Sequence, residues 1–368
     1  MKIFLATTTI NIPTLLEEYA KDAVSLNSKG LHSIEIVVAG DRKTPQEIEI
    51  FLKTLQETYQ VPITYLSPSM QMDLLSKVKA FKSYLDFDCI QRRNLAGFFA
   101  YLNGAEVITY IDDDNLISHL GYFQHHLNAL GLEKQSDTIR SSLGFANIMS
   151  CGEGTRTGDW LFPRGYPFSV RNQEVTLEQI DFNGRVCANA GLWTEEPDID
   201  AVSRIAGRPL INNYILNSPH RILHPGTWTP LNSQNTSFLA EFLPTYFLSS
   251  QVGRYDDIFA GYIMQRIAME LDCTVAFGEP VVRQIRNEHN LIDDLKLEIL
   301  GMGVIDFFLE ELRSYILTGD SVDLLMSSLI QNFESTLIEM PRGHFAQSVF
   351  KALHTGYSLW VDLLKSNS

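Results

Sequence analysis

Through the first third of the chain, short β-branched runs alternate with stretches of helical periodicity, and that alternation admits few folds. Residues 3–9, 34–39, 61–66 and 107–111 read as strands. Residues 13–26 and 45–59 read as helices, the first with a proline near its first turn. Leu95, Phe98, Phe99 and Leu102 fall at i, i+3, i+4 and i+7, one apolar stripe that stops at Asn103-Gly104. The run VITYI at 107–111 has no polar alternation, as expected of a strand buried on both faces. Strands separated by helices predict an α/β fold with a doubly wound, mostly parallel sheet, which takes its ligands beyond the carboxyl ends of its strands.

The middle, about 140–235, is rich in Gly, Pro, Asn and Trp and reads as long functional loops. From Gly253 a helix carrying Ile258, Phe259, Tyr262, Ile263 and Ile267 leads to two strand candidates, 274–277 and 281–285. Beyond about 290 the pattern is helical, with Phe307, Phe308 and Leu312 as apolar positions. The expected organisation is an α/β domain over 1–295 and a C-terminal helical extension over 296–368, packed on that domain or on a second subunit of a homo-oligomer.

The 368 residues hold 29 Lys+Arg against 44 Asp+Glu, a net charge of −15, with no basic cluster. Such a surface repels phosphate backbones and argues against nucleic acid as a partner. An acidic protein that uses a nucleotide needs a metal or a few placed arginines to hold it. Cys89, Cys151, Cys187 and Cys273 are scattered without CxxC spacing, which fits a reducing compartment better than a disulfide framework. No apolar stretch approaches the ~20 residues of a membrane span, and the first residues read as a strand rather than a signal peptide. A cytoplasmic location is expected.

Three segments carry chemistry. Asp112, Asp113 and Asp114 directly follow the buried strand, where three carboxylates repel one another unless a cation neutralises them. Alternation along an extended segment lets Asp112 and Asp114 face one ion, and hard oxygen ligands select Mg²⁺ or Mn²⁺. The competing reading is an acidic turn capping a helix, with Asn115 helping. RGYPFSVR at 164–171 places Arg164 and Arg171 around an aromatic and proline turn. Two guanidinium forks there suit a diphosphate, or they pair with surface acids. GRYDD at 253–257 sets Asp256 and Asp257 before a helix, as caps or as a general base, Asp257 first and Asp256 second. His220 and His224 have ligand spacing but sit between prolines and read as structural; His125 and His126 read as solvated surface. GxGxxG, Walker A, GxSxG and HExxH motifs do not occur.

In this order, YIDDDN (110–115), RGYPFSVR and GRYDD resemble the segments of the reversibly glycosylated polypeptides, the UDP-arabinopyranose mutase family. GLW followed by PDIDA (191–193 and 197–201) lies between them as in that family, and Asn235 sits where a family asparagine does. The resemblance runs from about 92 to 300, and it departs where Asn115 replaces the usual cysteine. It implies a GT-A-like nucleotide-sugar fold, Mn²⁺ or Mg²⁺ on Asp114 and Asp112 with His289 as a third ligand, and a UDP-sugar. Asp112, Asp113, Asn235, Arg93 and Thr7 are the nucleotide-contact candidates. The family's glycosylated arginine maps to Arg164 and its second arginine to Arg171. A mutase of this kind uses no flavin: the sugar leaves UDP, its ring reopens and recloses, and it returns. Two other activities are expected to compete with that one: a soluble glycosyltransferase with a separate glycan or small-molecule acceptor, and a non-catalytic sugar-nucleotide scaffold.

Overall fold

A computed structural model of the protein describes residues 1–76, 78–154, 161–207, 209–216, 218–286 and 290–366. Among the described residues twelve strands form one sheet: β1 Lys2–Thr9, β2 Ser33–Gly40, β3 Ile63–Leu66, β4 Val107–Ile111, β5 Asn115–Ile117, β6 Glu133–Ser141, β7 Gly152–Gly154, β8 Leu177–Glu195, β9 Ile211–Tyr214, β10 His220–Ile222, β11 Asn235–Leu239 and β12 Cys273–Gln284. Along its main path the order is β10-β12-β8-β11-β4-β1-β2-β3. The strands β3, β2, β1 and β4 are mutually parallel, β8 and β12 are parallel to each other, and β11 lies antiparallel between β4 and β8. The sheet is therefore mostly parallel, as expected of the α/β class.

Helices α1 (Leu16–Asn27), α2 (Ile48–Tyr59), α3 (Pro68–Leu74), α4 (Lys79–Tyr84), α5 (Arg93–Leu102), α6 (Tyr122–Ala129), α7 (Ala201–Gly207) and α8 (Asp256–Glu270) flank the sheet. The first two start about three residues after the positions read from sequence, because Pro13 and Pro45 sit in the preceding turns: their carbonyls accept from the N–H groups of Leu16 and Ile48. All five residues of β4 are buried, as their composition required. The middle is more ordered than its composition suggested, since it contains β6 and the 19-residue β8. The first half of β8 pairs antiparallel with β6, which is remote in sequence, and the many charged and amide residues of the two strands, such as Glu178 opposite Arg140, hid the pairing from pattern reading. The two strands expected at 274–285 are one, β12, with a bulge between Gly278 and Val282.

The C-terminal extension consists of α9 (Leu291–Ser314), α10 (Val322–Glu339) and α11 (Gln347–Lys365), and α9 runs across the expected boundary at 295/296. Among the described residues, no helix is long and apolar enough to cross a membrane. The extension shares the main core. Trp360 is fully buried with Phe81, Phe98 and Phe247 at ring separations of 5.9, 6.1 and 5.6 Å, and its Nε1–H donates to the Leu243 carbonyl. Tyr357 donates to the Thr245 carbonyl at 2.8 Å. Trp360→Ala is expected to cost about 3–5 kcal/mol through the cavity and the stranded carbonyl. Urea unfolding should show it as a lower midpoint at unchanged slope.

Candidate active site

The carboxyl ends of β1, β4, β8 and β12 meet the amino end of the antiparallel β11 along one edge of the sheet. There they open on a cavity of about 630 Å³. Arg93, Asp112, Asp113, Asp114, Arg164, Asp256 and Asp257 all line it. Three widely separated motifs thus converge on one space.

The aspartate turn is held from below. The Asp112 N–H donates to the Gln234 carbonyl at 3.0 Å, and Asn115 Nδ2 donates to the same carbonyl at 2.9 Å. A strand follows the turn, not a helix, so the three carboxylates do not cap a helix. Asp112 pairs with Arg93, a buried guanidinium that also donates to the Ser233 carbonyl and hydroxyl. Thr9 donates to Asp113 at 2.9 Å. Asp114 Oδ1 is buried and has no hydrogen-bond partner. Burial first, and the charge of Asp112 second, push the Asp114 carboxyl up to about 7; burial also raises Asp113. An orphaned, crowded carboxylate oxygen of this kind fits a hard divalent cation. Among the described residues no cluster of three His, Cys, Asp or Glu groups forms a ready metal cage. His289 lies outside the described residues.

Arg164 is buried between two carboxylates. Its Nε and Nη2 fork onto Asp198 at 3.0 Å each, while Nη1 and Nη2 reach Asp257 at 3.1 and 3.3 Å. Nη1 also donates to the Arg254 carbonyl, so all five N–H groups have acceptors. Burial alone would make Arg164 easier to deprotonate. The charges of Asp198 and Asp257 more than offset it and push its pKa well up. The left-handed backbone at Gly165 (φ 82°) makes this approach possible, because a Cβ there would collide with Ile258 of α8.

Neither aspartate of GRYDD caps α8 through its side chain. Asp257 instead accepts from Arg164 and from the Ser233 N–H at 3.0 Å, and Asp256 accepts from Gln91 Nε2 at 2.7 Å. Burial, then the charge of Asp257, pushes Asp256 up to about 7.

The other expected residues lie outside the cavity wall. Thr7 is buried and donates to the Ile111 carbonyl. Asn235 is buried one layer down, where its Oδ1 accepts from Tyr122 at 2.9 Å and faces His126 Nε2 at 3.1 Å. Arg171 braces the loop: it pairs with Asp200 at 2.7 Å, donates to the Tyr166 carbonyl and stacks on Phe168 at 3.9 Å. Of the histidines read as solvated, His126 is instead buried, because Asn189 and Asn235 satisfy both of its nitrogens.

Asp198, Ser233, Gln284 and Arg286 complete the wall and were given no role from sequence. Asp198 stood inside the PDIDA stretch and so was within reach of a motif reading. Ser233 and Gln284 are isolated polar residues whose placement only the sheet register reveals.

A folded-state pKa near 7 for Asp256, against about 3.9 unfolded, means that the folded protein holds this proton more tightly. Its contribution to stability is therefore complete below the unfolded value and is lost as pH rises toward 7. Asn retains an acceptor for Gln91 without the charge. Asp256→Asn should leave Tm nearly unchanged at pH 4 and raise it relative to wild type at pH 8. An equal loss at both pH values would contradict the assignment.

The family model described as reversibly glycosylated polypeptide matches residues 152–367. UDP-arabinopyranose mutase 3 of Arabidopsis thaliana is 28% identical over 147 residues, covering 38% of this chain and 37% of that protein. Probable UDP-arabinopyranose mutase 1 of Pisum sativum is 26% identical over 222 residues, covering 57% and 56%. The matched stretch thus spans less than two thirds of either relative. Among solved structures, glucosyl-3-phosphoglycerate synthase from Mycobacterium tuberculosis in complex with Mn2+ and UDP-glucose is 10% identical, covering 82% of this chain and 77% of that one at a TM-score of 0.38. TarS 1-349 of S. aureus in complex with UDP-GlcNAc is 13% identical, covering 100% and 89% at a TM-score of 0.38. The family model alone spans more than half of the chain, and the chain belongs to the reversibly glycosylated polypeptide family.

Proposed function

We propose that this protein is a UDP-sugar-using enzyme that moves the sugar onto its own Arg164 and back, interconverting pyranose and furanose forms without a flavin. Family membership supports the reading, and one observation carries it. Arg164, the first arginine of RGYPFSVR, stands in the wall of the cavity onto which the Asp112, Asp113 and Asp114 turn opens, clamped by two carboxylates.

Asp114 and Asp112 would hold Mn²⁺ or Mg²⁺; the partnerless Asp114 Oδ1 and the crowding of the three carboxylates fit a hard cation. Bound there, the cation would neutralise the diphosphate in an otherwise acidic cavity. The chain's own groups do the rest. Arg93 fixes Asp112, and Arg286 in the same wall adds positive charge beside Asp114. In the transfer the bond from the anomeric carbon to the diphosphate oxygen breaks, a bond from that carbon to a guanidinium nitrogen forms, and UDP leaves. The proton displaced from Arg164 passes to a carboxylate, and Asp257 Oδ1, 3.1 Å from Nη1, is in place to take it. Return of the sugar to UDP reverses the proton's path.

One observation favours a second reading. All five Arg164 donors are already engaged and its charge is strongly stabilised, which suits a fixed cation better than a nucleophile. In that case the protein is a transferase with a separate acceptor, and Arg164 steadies the leaving group.

The two readings part on Arg164→Lys. After incubation with a panel of UDP-sugars and Mn²⁺, intact-mass measurement of the wild type should show an increment of one sugar, reversed by UDP and absent in Arg164→Lys. A sugar that appears only on an added acceptor, with the variant weakened by roughly 1–3 kcal/mol in binding, would select the transferase. Calorimetry should show UDP affinity collapsing with chelator and with Asp114→Ala; unchanged affinity in both would exclude the metal.

A further inference from the structure

Arg164 and Arg171, the two forks that suit a diphosphate by residue type, are both committed elsewhere. Arg164 is taken up by Asp198, Asp257 and the Arg254 carbonyl, and Arg171 by Asp200 and the Tyr166 carbonyl. Other arginines of the cavity wall are held as firmly. Arg93 is fixed on Asp112 and Ser233, and Arg254 pairs with Asp294 at 3.3 Å and Glu298 at 3.2 Å. Arg286 differs from them.

Arg286 stands just past the end of β12, and its backbone is pinned on two sides. The preceding Ile285 N–H donates to the Asp114 carbonyl at 3.2 Å, and the Arg286 N–H donates to Glu196 at 3.2 Å. The side chain is 10% exposed and lies in the cavity wall between the aspartate turn and the Arg164 clamp. Burial raises the Asp114 carboxyl, and the charge of Arg286 works against that rise, so the two groups sense each other. Among the described residues only Nη2 has an acceptor, Asp198 Oδ1 at 3.4 Å, and the Nε–H is buried without one. Asp198 has shorter bonds than this one: Arg164 Nε and Nη2 at 3.0 Å each, and Asn232 at 2.9 Å. A guanidinium has five N–H donors, and a nearly buried one that leaves most of them unused is costly until an anion completes it.

We infer that Arg286 is the diphosphate receptor of the cavity: when a nucleoside diphosphate binds, its guanidinium exchanges the long contact with Asp198 for the outer phosphate, the one joined to the sugar. The inference rests on the reading of the cavity as a UDP-sugar site. It holds equally for a mutase and for a transferase, since both release UDP. The exchange costs little, because Asp198 keeps its three shorter bonds. Arginine grips phosphate through paired, charge-assisted bonds. Its charge counts most as the bond to the anomeric carbon breaks, when the leaving diphosphate gains negative charge. Such a group holds UDP more tightly than the intact sugar nucleotide. UDP therefore stays in place for the return of the sugar.

The test is calorimetric titration of the full chain with UDP and with UMP in the presence of Mn²⁺. Arg286→Gln keeps an amide donor for Asp198 and removes the charge. It should weaken UDP on the order of tenfold or more, the worth of a charge-assisted bond. UMP lacks the outer phosphate and should bind the variant and the wild type alike. Arg286→Lys retains the charge beside Asp114 and Asp198, which protects the fold, but loses the fork; its UDP affinity should lie between the other two. Equal UDP affinity in all three proteins, or a loss for UMP as large as that for UDP, overturns the assignment to Arg286 and leaves the UDP-sugar reading standing. A wild type that binds no UDP overturns both.

Discussion

The buried guanidinium of Arg164 is the point on which the site is organised. A cation taken out of water costs several kcal/mol unless opposite charge and hydrogen bonds compensate it. Here Asp198 arrives from the loop after β8 and Asp257 from the start of α8. Each of those carboxylates needs further donors, and these reach still more of the chain. Asn232 and Arg286 contact Asp198, while the Ser233 backbone contacts Asp257. Burial would raise the Asp198 carboxyl, but the Arg164 charge overrides it and holds the group well below its usual range. Removing any one member leaves an unpaired charge in a dry place, which explains why segments more than ninety residues apart in sequence meet within hydrogen-bond distance.

The antiparallel strand β11 does the complementary work. Running against β4, it brings its first residues level with the end of β4, Asn235 opposite Ile111. The preceding residues Asn232, Ser233 and Gln234 therefore sit at the cavity edge rather than at the far end of the sheet. In a wholly parallel arrangement that segment would lie a strand's length away, and Arg93 and Asp257 would each lose their contacts with Ser233.

Much of this is legible in the amino-acid sequence. The parallel half of the sheet followed from apolar runs of the right length, and β4 coincided with its reading because a doubly buried strand leaves no polar ambiguity. The three motifs that meet at the cavity were each visible as unusual local chemistry. What sequence concealed was long-range pairing. The β6–β8 pairing joins strands rich in charged and amide residues that are far apart in sequence, and Asp198 looks like any loop aspartate until Arg164 is placed beside it. His126 looked exposed because adjacent histidines on a helix ordinarily face apart, and the amides that satisfy it come from β8 and β11. Arg171 had the residue type for phosphate binding, yet the nearby Asp200 and two aromatic rings claim it for holding the loop.

The helix α9 has a bearing on how the protein is made. Glu298, almost entirely buried, accepts from Arg254 Nε at 3.2 Å and from the Ala201 N–H at 2.7 Å, and Gly253 fits against the Leu297 carbonyl with no room for a side chain. Arg254 in turn offers its carbonyl to Arg164. The groups of the cavity and their supports are thus spread in sequence from Thr9 to Glu298. On the ribosome the parallel strands emerge first, with the aspartate turn already at their edge. The cation that balances the later carboxylates comes next, and the helix that steadies it comes last. A nascent chain stalled before α9 would carry every motif of the site and still lack its finished electrostatic balance, so competence arrives late and all at once.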